Sequence, residues 1–252
     1  MDIPSYLDRI GYGGSTRVGE ELLHVLHERH FRSVPFEDLD IHQNIPIQLD
    51  LAHLYQKIVL RRRGGFCYEL NYLFAQLLRG LGFECQLVAA RIFAEKDAWG
   101  PEFDHLALLV TLDEPWLVDV GYGDLFFFPK TISDQKIQGD RDKYYRIDRV
   151  EGDGFVLHES RDGNDFSKRY RFDLRPRRIE DFYAECTRKQ ESVDSYFVKN
   201  KICTLPTVRG RMTLFNDKFI ETVDGVKTQS MIASTADLEI LLATKFDILL
   251  NP

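Results

Sequence analysis

Cysteine is scarce in this chain, and the few cysteines present are scattered. The 252 residues include only four, Cys67, Cys85, Cys186 and Cys203, and no two of them form a Cys-x-x-Cys pair. Small secreted domains held by disulfides are rich in cysteine. We therefore expect reduced thiols in a cytoplasmic protein, with the last three cysteines acting as packing residues.

Long apolar runs and an excess of positive charge are also missing. No stretch approaches the ~20 apolar residues of a membrane-spanning helix. The start has no basic segment followed by an apolar core, so we expect no membrane association and no secretory signal. The net charge of −7 disfavours nucleic acid as a partner. A hydrophobic content of 44% and a charged content of 29% are ordinary for a globular protein.

The most informative segment places a cysteine behind two glycines and ahead of a helical pattern. It reads RRGGFCYELN (residues 62–71), and the apolar residues that follow recur at helical spacing as far as Leu81. Cys67 is therefore predicted at a helix N-terminus, where free N–H groups and the helix dipole favour a thiolate. Gly64 and Gly65 let a substrate carbonyl approach the sulfur.

A base and an acid follow at the ends of two apolar strands. His105 opens the strand HLALLV (105–110), and Asp119 closes the strand WLV (116–118), with a turn at 113–115 between them. Antiparallel pairing of these strands would bring the two side chains together. A thiolate needs such a base, and the base needs an orienting group. Asp104 and Asp124 are competing candidates for the acid.

In these motifs the chain resembles the arylamine N-acetyltransferase family. The resemblance covers RRGGFC with Glu69 and Asn71, then His105, then VDVGYG (118–123). YLDRIGY (6–12), VPFEDL (34–39) and SYFVKN (195–200) agree as well. It is dense in the first half of the chain and thins out after about residue 125.

The resemblance implies an enzyme that acetylates arylamines or arylhydrazines by a ping-pong route through an acetyl-cysteine, with acetyl-CoA as the acyl donor and no metal. Cys67, His105 and Asp119 would form its catalytic triad. Phe36, Tyr122 and Phe197 would line the pocket for the aromatic substrate. No local motif identifies residues that bind the coenzyme.

The pattern of elements predicts an α+β protein. We expect a helical bundle over residues 1–82 that ends in the nucleophile helix, an antiparallel sheet or barrel over 83–175, and an α/β lid subdomain over 176–252. The family resemblance adds a cysteine-protease-like core. Within the bundle, helices are predicted over 2–10, 16–31 and 50–62.

Other interpretations remain open at this point. A thiol hydrolase or amidase uses the same three residue types, and a protein that only binds aromatic ligands or coenzyme A would belong to a different class. The run His24, His27 and His30 is interpreted as a solvated helix surface rather than a metal site. Arg63 is expected to brace the loop before Cys67 by pairing with Glu37 or Glu69.

Overall fold

The computed structural model describes residues 1–94, 98–132, 136–150 and 152–250. Its α-helices are α1 (Ile3–Arg9), α2 (Glu20–Ser33), α3 (Leu39–His42), α4 (Leu51–Leu54), α5 (Cys67–Gly80), α6 (Tyr183–Glu191), α7 (Tyr196–Lys199) and α8 (Thr235–Phe246). A π-helical turn (Tyr55–Leu60) continues α4, and a 3₁₀ turn (Ile179–Phe182) precedes α6.

The strands form two antiparallel sheets. They are β1 (Phe36–Glu37), β2 (Glu84–Ala94), β3 (Ala98–Trp99), β4 (His105–Thr111), β5 (Pro115–Val118), β6 (Lys130–Thr131), β7 (Gln138–Asp140), β8 (Lys143–Arg149), β9 (Gly154–Ser160), β10 (Ser167–Asp173), β11 (Ile202–Thr207), β12 (Gly210–Phe215), β13 (Lys218–Val223) and β14 (Val226–Met231). The larger sheet has the order β6-β5-β4-β2-β10-β9-β8-β7, with β3 paired to β2. The smaller has the order β1-β11-β12-β13-β14.

The larger sheet curls into a nearly closed barrel whose two faces bury different partners. Successive side chains of a strand point to opposite faces. Leu87 and Ala89 of β2 therefore pack towards the helices around α5, while Val88 and Ala90 point into the barrel interior. This arrangement places α5 directly against β2 and against β4, the strand that begins with His105.

The smaller sheet joins distant parts of the chain. Phe36 of β1 pairs with Thr204 of β11, and an isolated parallel bridge joins Phe36 to Gly65. The segment before Cys67 is thus held by an early strand, which is itself held by a strand from the last quarter of the sequence. On its other side, this sheet packs against α8 through Cys203, Leu214 and Leu242.

The predicted α+β class with an antiparallel barrel-like sheet is confirmed. Two helix predictions in the first part of the chain were too long. The second helix begins at Glu20 after Gly19 and has Glu20 and Glu21 in its first turn. The helix dipole favours acidic side chains at that position. The third is a short α-helix that widens into a π-helical turn at Tyr55.

Among the described residues, no helix has the length and apolar character needed to cross a membrane.

Candidate active site

His105 and Asp119 meet at one end of the barrel-like sheet. β4 and β5 pair antiparallel, with Leu108 opposite Val118. The first residue of β4 and the residue after β5 therefore lie at the same end. His105 Nε2 is 2.7 Å from Asp119 Oδ2, and both side chains are buried. The strand reasoning from the sequence is confirmed for this pair.

The buried imidazole is held in its charged form. Burial alone would lower its pKa, but the carboxylate of Asp119, with a smaller effect from the side chain of Cys67, raises the pKa of His105 to about 10. For Asp119, burial acts upward, but His105, Asn71 and the Gly121 N–H outweigh it and lower the pKa. The two partners therefore stabilise each other as an ion pair at neutral pH.

Cys67 lies at the first position of α5, as predicted, and is only 3% exposed. Gly121 packs directly on it. A Cβ atom placed on Gly121 would lie 2.9 Å from Cys67 Cα and 2.6 Å from Asn71 Nδ2. A side chain at position 121 would therefore displace the helix start or the amide, so glycine is required there.

Asn71 connects the nucleophile helix to the strand ends. Its Nδ2 donates to Leu106 O at 2.6 Å and to Asp119 Oδ1 at 2.9 Å, and its Oδ1 accepts from Val120 N at 2.9 Å. Because Asn71 and Cys67 lie one turn apart on α5, this buried amide fixes the position of Asp119 relative to the sulfur.

A buried ion network braces the loop before Cys67. Arg63 donates to Glu37 Oε1 at 2.9 Å and to Asp40 Oδ1 at 2.7 Å. Lys57, in the π-helical turn, lies 2.7 Å from Asp40 Oδ2 and 2.8 Å from Glu69 Oε1. The expected pairing of Arg63 with Glu37 is confirmed, whereas Glu69 pairs with Lys57.

The carboxylates of this network also bind the backbone of the loop. Glu37 Oε1 accepts from Gly64 N at 3.2 Å, and Glu69 Oε2 accepts from Phe66 N at 3.1 Å. Burial raises the pKa of Glu69 to about 7, although Lys57 acts in the opposite direction. The network thus fixes the backbone on which Cys67 begins its helix.

The three predicted pocket aromatics fall in two places near the start of α5. The ring of Tyr122 is 5.6 Å from that of His105. The ring of Phe36 is 6.2 Å from that of Phe197, which is 5.7 Å from that of Phe66. Gly123 packs against Phe36, because a Cβ atom placed on Gly123 would lie 3.2 Å from the Phe36 ring. Tyr122 therefore lies beside His105, while Phe36 and Phe197 lie beside each other and next to Gly123 and Phe66, which precedes Cys67.

A cavity borders Asp124 in the segment that follows β5, and Cys67, His105 and Asp119 are not among the residues that line it. It measures about 690 Å³ and is bordered by Asp124, Phe127, Lys143 and Arg211. Asp124 contacts Lys143 and Arg211 there and has no contact with His105 among its described partners. This placement separates Asp124 from the Cys67–His105–Asp119 group.

One prediction near the site was wrong. His27 and His30 are fully buried rather than solvated, and His27 Nε2 lies 3.3 Å from Asp119 N. Leu23 and Leu26 precede His27 and His30 by four residues each, and this spacing places both histidines on the apolar face of α2. The described residues contain no cluster of histidine, cysteine or acidic side chains that could hold a metal ion.

Comparison with known proteins identifies the family. The family model for N-acetyltransferases matches residues 21–252. A chicken (Gallus gallus) arylamine N-acetyltransferase, pineal gland isozyme NAT-3, is 34% identical over 276 aligned residues, covering 100% of this chain and 95% of the relative. The chain belongs to the arylamine N-acetyltransferase family.

Solved structures of arylamine N-acetyltransferases share the fold. The enzyme from Salmonella typhimurium matches with a TM-score of 0.91 and 27% identity, over 99% of this chain and 92% of the other. The Mycobacterium marinum arylamine N-acetyltransferase in complex with CoA matches with a TM-score of 0.87 and 28% identity, over 98% and 93%. The protein is accordingly an acyltransferase of this family, and the predicted family is confirmed.

Proposed function

We propose that this arylamine N-acetyltransferase uses acetyl-CoA to acetylate arylamines and arylhydrazines by a ping-pong route, with Cys67 carrying the acetyl group. The observation that supports this most strongly is the His105 imidazole, buried between the Asp119 carboxylate and the Cys67 side chain with its pKa raised to about 10. An imidazolium at neutral pH is the natural partner of a thiolate. The coenzyme is inferred from the Mycobacterium marinum complex with CoA.

In the first half-reaction the Cys67 thiolate attacks the carbonyl carbon of acetyl-CoA. A new C–S bond forms, the bond to the coenzyme sulfur breaks, and the imidazolium of His105 gives its proton to the departing thiolate. One thioester replaces another, so the acetyl-enzyme forms at little cost in free energy. Asp119 stabilises the charge on His105 before the proton is transferred.

In the second half-reaction the neutral amine attacks the acetyl-cysteine. A C–N bond forms, the C–S bond to Cys67 breaks, and the neutral His105 accepts the amine proton. This regenerates the thiolate and the imidazolium. An aromatic amine suits the step because it is weakly basic, and hence uncharged and nucleophilic at neutral pH.

The surroundings of the sulfur fit these steps. The backbone N–H of Cys67 is one of the first-turn groups that have no acceptor within the helix, which makes it a candidate donor to the oxyanion. Phe36 and Phe197 offer ring faces to a flat substrate. Since Cys67 is only 3% exposed, little water reaches the thioester.

The decisive experiment is mass spectrometry of the intact protein after incubation with acetyl-CoA, followed by addition of an aromatic amine. We expect the mass to rise by one acetyl group located on Cys67, and the amine to remove it and become acetylated. Release of acetate without an acetylated amine would indicate a hydrolase instead.

Cys67→Ala provides the control. We expect this variant to gain no acetyl group and to transfer none, while its circular dichroism spectrum and melting temperature stay close to the wild-type values. A folded Cys67→Ala protein with normal activity would refute the proposal.

A further inference from the structure

His27 binds both ends of the segment that follows β5. Its Nε2 is 3.3 Å from the backbone nitrogen of Asp119, and its Nδ1 is 2.8 Å from the carbonyl oxygen of Phe127. Since the Asp119 N–H is a donor, Nε2 must accept, and Nδ1 carries the proton that is donated to Phe127 O. The two contacts together define a single neutral tautomer of the ring.

The segment between these two contacts contains the backbone that touches the nucleophile. Asp119 pairs with His105, Gly121 packs on Cys67, and Tyr122 lies beside the His105 ring. No helix or strand is present between the end of β5 and the start of β6 in this described part of the chain. Contacts from outside the segment must therefore hold its shape.

The ring of His27 is itself held firmly. It is fully buried, stacks on Phe126 at 5.5 Å and meets the edge of Phe74, on the nucleophile helix, at 6.2 Å. A buried polar group with both bonds made is rigid, and losing one bond leaves its partner unsatisfied. His27 thus connects α2, the nucleophile helix and the backbone of Asp119.

We propose that His27 is a positioning residue for the acetyl transfer, holding the Asp119 backbone so that its carboxylate stays aligned with His105. This inference rests on the proposed function of the Cys67, His105 and Asp119 group. His27 does not touch the reacting atoms. Burial lowers the pKa of His27 to about 4, so the ring stays neutral during turnover and serves as a fixed donor and acceptor.

His30 offers a matched control on the same helix. It is also fully buried, and its ring lies 5.0 Å from that of Phe74. Neither of its ring nitrogens has a hydrogen-bond partner among the described residues. The two histidines therefore share helix, burial and an aromatic neighbour, and differ in whether they bind the Asp119–Phe127 segment.

The test compares four variants of the full chain: His27→Phe, His27→Gln, His27→Asn and His30→Phe. Phenylalanine keeps an aromatic ring and removes both hydrogen bonds. The amide of glutamine lies at the position of Nε2 and can still accept from Asp119 N–H, whereas that of asparagine lies at the position of Nδ1 and can still donate to Phe127 O. Folding is checked by circular dichroism at the assay temperature.

We expect His27→Phe to lower kcat/KM by about 10- to 100-fold, because misplacing a reacting group by an ångström can cost about 100-fold. Glutamine should retain more activity than asparagine, and His30→Phe should stay close to wild type. The pH profile of Cys67 alkylation by iodoacetamide provides a second measurement. In His27→Phe and His27→Asn we expect the onset of alkylation to move to higher pH, because a poorly aligned Asp119 stabilises the imidazolium that accompanies the thiolate less well.

Equal losses in His27→Phe and His30→Phe, or wild-type kinetics and pH profile in His27→Phe, would overturn the inference. If His27→Phe does not fold, the comparison of glutamine with asparagine decides: lower activity for asparagine supports the inference, and equal activity overturns it. A wild-type protein that gains no acetyl group on Cys67 would refute the proposed function itself, independently of any His27 variant.

Discussion

At the scale of single residues, the charge on His105 depends on the carboxylate of Asp119. Asp119 holds a proton on the imidazole through a 2.7 Å contact in a fully buried setting. Burial alone would favour a neutral ring. An uncharged residue of the same shape at position 119 would therefore leave the histidine neutral, without changing the packing.

Asp119→Asn tests this dependence. We expect kcat to fall by about 1,000- to 10,000-fold, as the same change does in Ser-His-Asp enzymes, because the amide no longer stabilises the imidazolium or fixes its tautomer. Asp124→Asn is the control, since the Asp124 side chain is 58% exposed and pairs with Lys143 and Arg211. A larger loss in Asp124→Asn would assign the acid of the triad to Asp124.

At the scale of elements, the start of α5 depends on charged side chains contributed by other segments. Glu37 follows α2, Asp40 lies in α3, and Lys57 comes from the π-helical turn. An unpaired buried charge lowers the free energy of unfolding, so removing one member of such a network destabilises the protein by leaving its partners unpaired. Adjacent arginines at 62 and 63 allow a direct comparison.

Arg63→Ala should lower the free energy of unfolding by about 3–5 kcal/mol, because Glu37 and Asp40 remain buried with less compensation. Arg62→Ala should cost only about 0–1 kcal/mol, since the Arg62–Asp247 pair is 50% and 66% exposed. Urea unfolding of both variants measures the difference. Equal losses would contradict the assignment of Arg63 as the brace of the nucleophile loop.

The sequence predicted those helices and strands whose positions are determined by a local sequence pattern. The glycines and apolar spacing located the start of α5 at Cys67, and two short apolar runs placed His105 and Asp119 at strand ends. The two-residue strand β1 has no local pattern, because its existence depends on pairing with β11, more than 160 positions later. His27 was misjudged because polar neighbours at 28 and 29 outweighed its helical spacing with Leu23.

The contacts of Lys57 with Asp40 and Glu69 likewise could not be read from spacing, because three different segments contribute the charges. The family resemblance, rather than periodicity, selected Phe36, Tyr122 and Phe197. The binding roles of these three aromatics and the catalytic roles of Cys67, His105 and Asp119 stay predictions. So does the division into subdomains at residues 82 and 175.

At the scale of the whole molecule, the raised pKa of His105 links folding to pH. The ring has an ordinary pKa of 6.5 and one of about 10 in the folded protein. The folded state therefore binds this proton more tightly than the unfolded state. Its contribution to stability is complete below pH 6.5 and is lost as the pH rises towards about 10.

We expect the free energy of unfolding of the wild-type protein to fall across this interval more steeply than that of His105→Gln, which cannot titrate. Urea unfolding at a series of pH values measures both slopes. Repeating the comparison in a Cys67→Ala background removes the thiol that interacts with His105, so that the difference between the slopes isolates the histidine. Parallel slopes would show that His105 is not protonated in the folded state.

The bridge from Gly65 to Phe36, and from Phe36 to Thr204, has a consequence for the order in which the protein matures during synthesis. A ribosome releases Cys67 long before it has made Thr204. Until β11 emerges, β1 has no partner in the smaller sheet, and the loop leading to the sulfur lacks its lateral support. The loop before Cys67 therefore has only the ion network of residues 37–69 as its support through much of translation, and the surroundings of the sulfur are completed only when the final quarter of the polypeptide arrives.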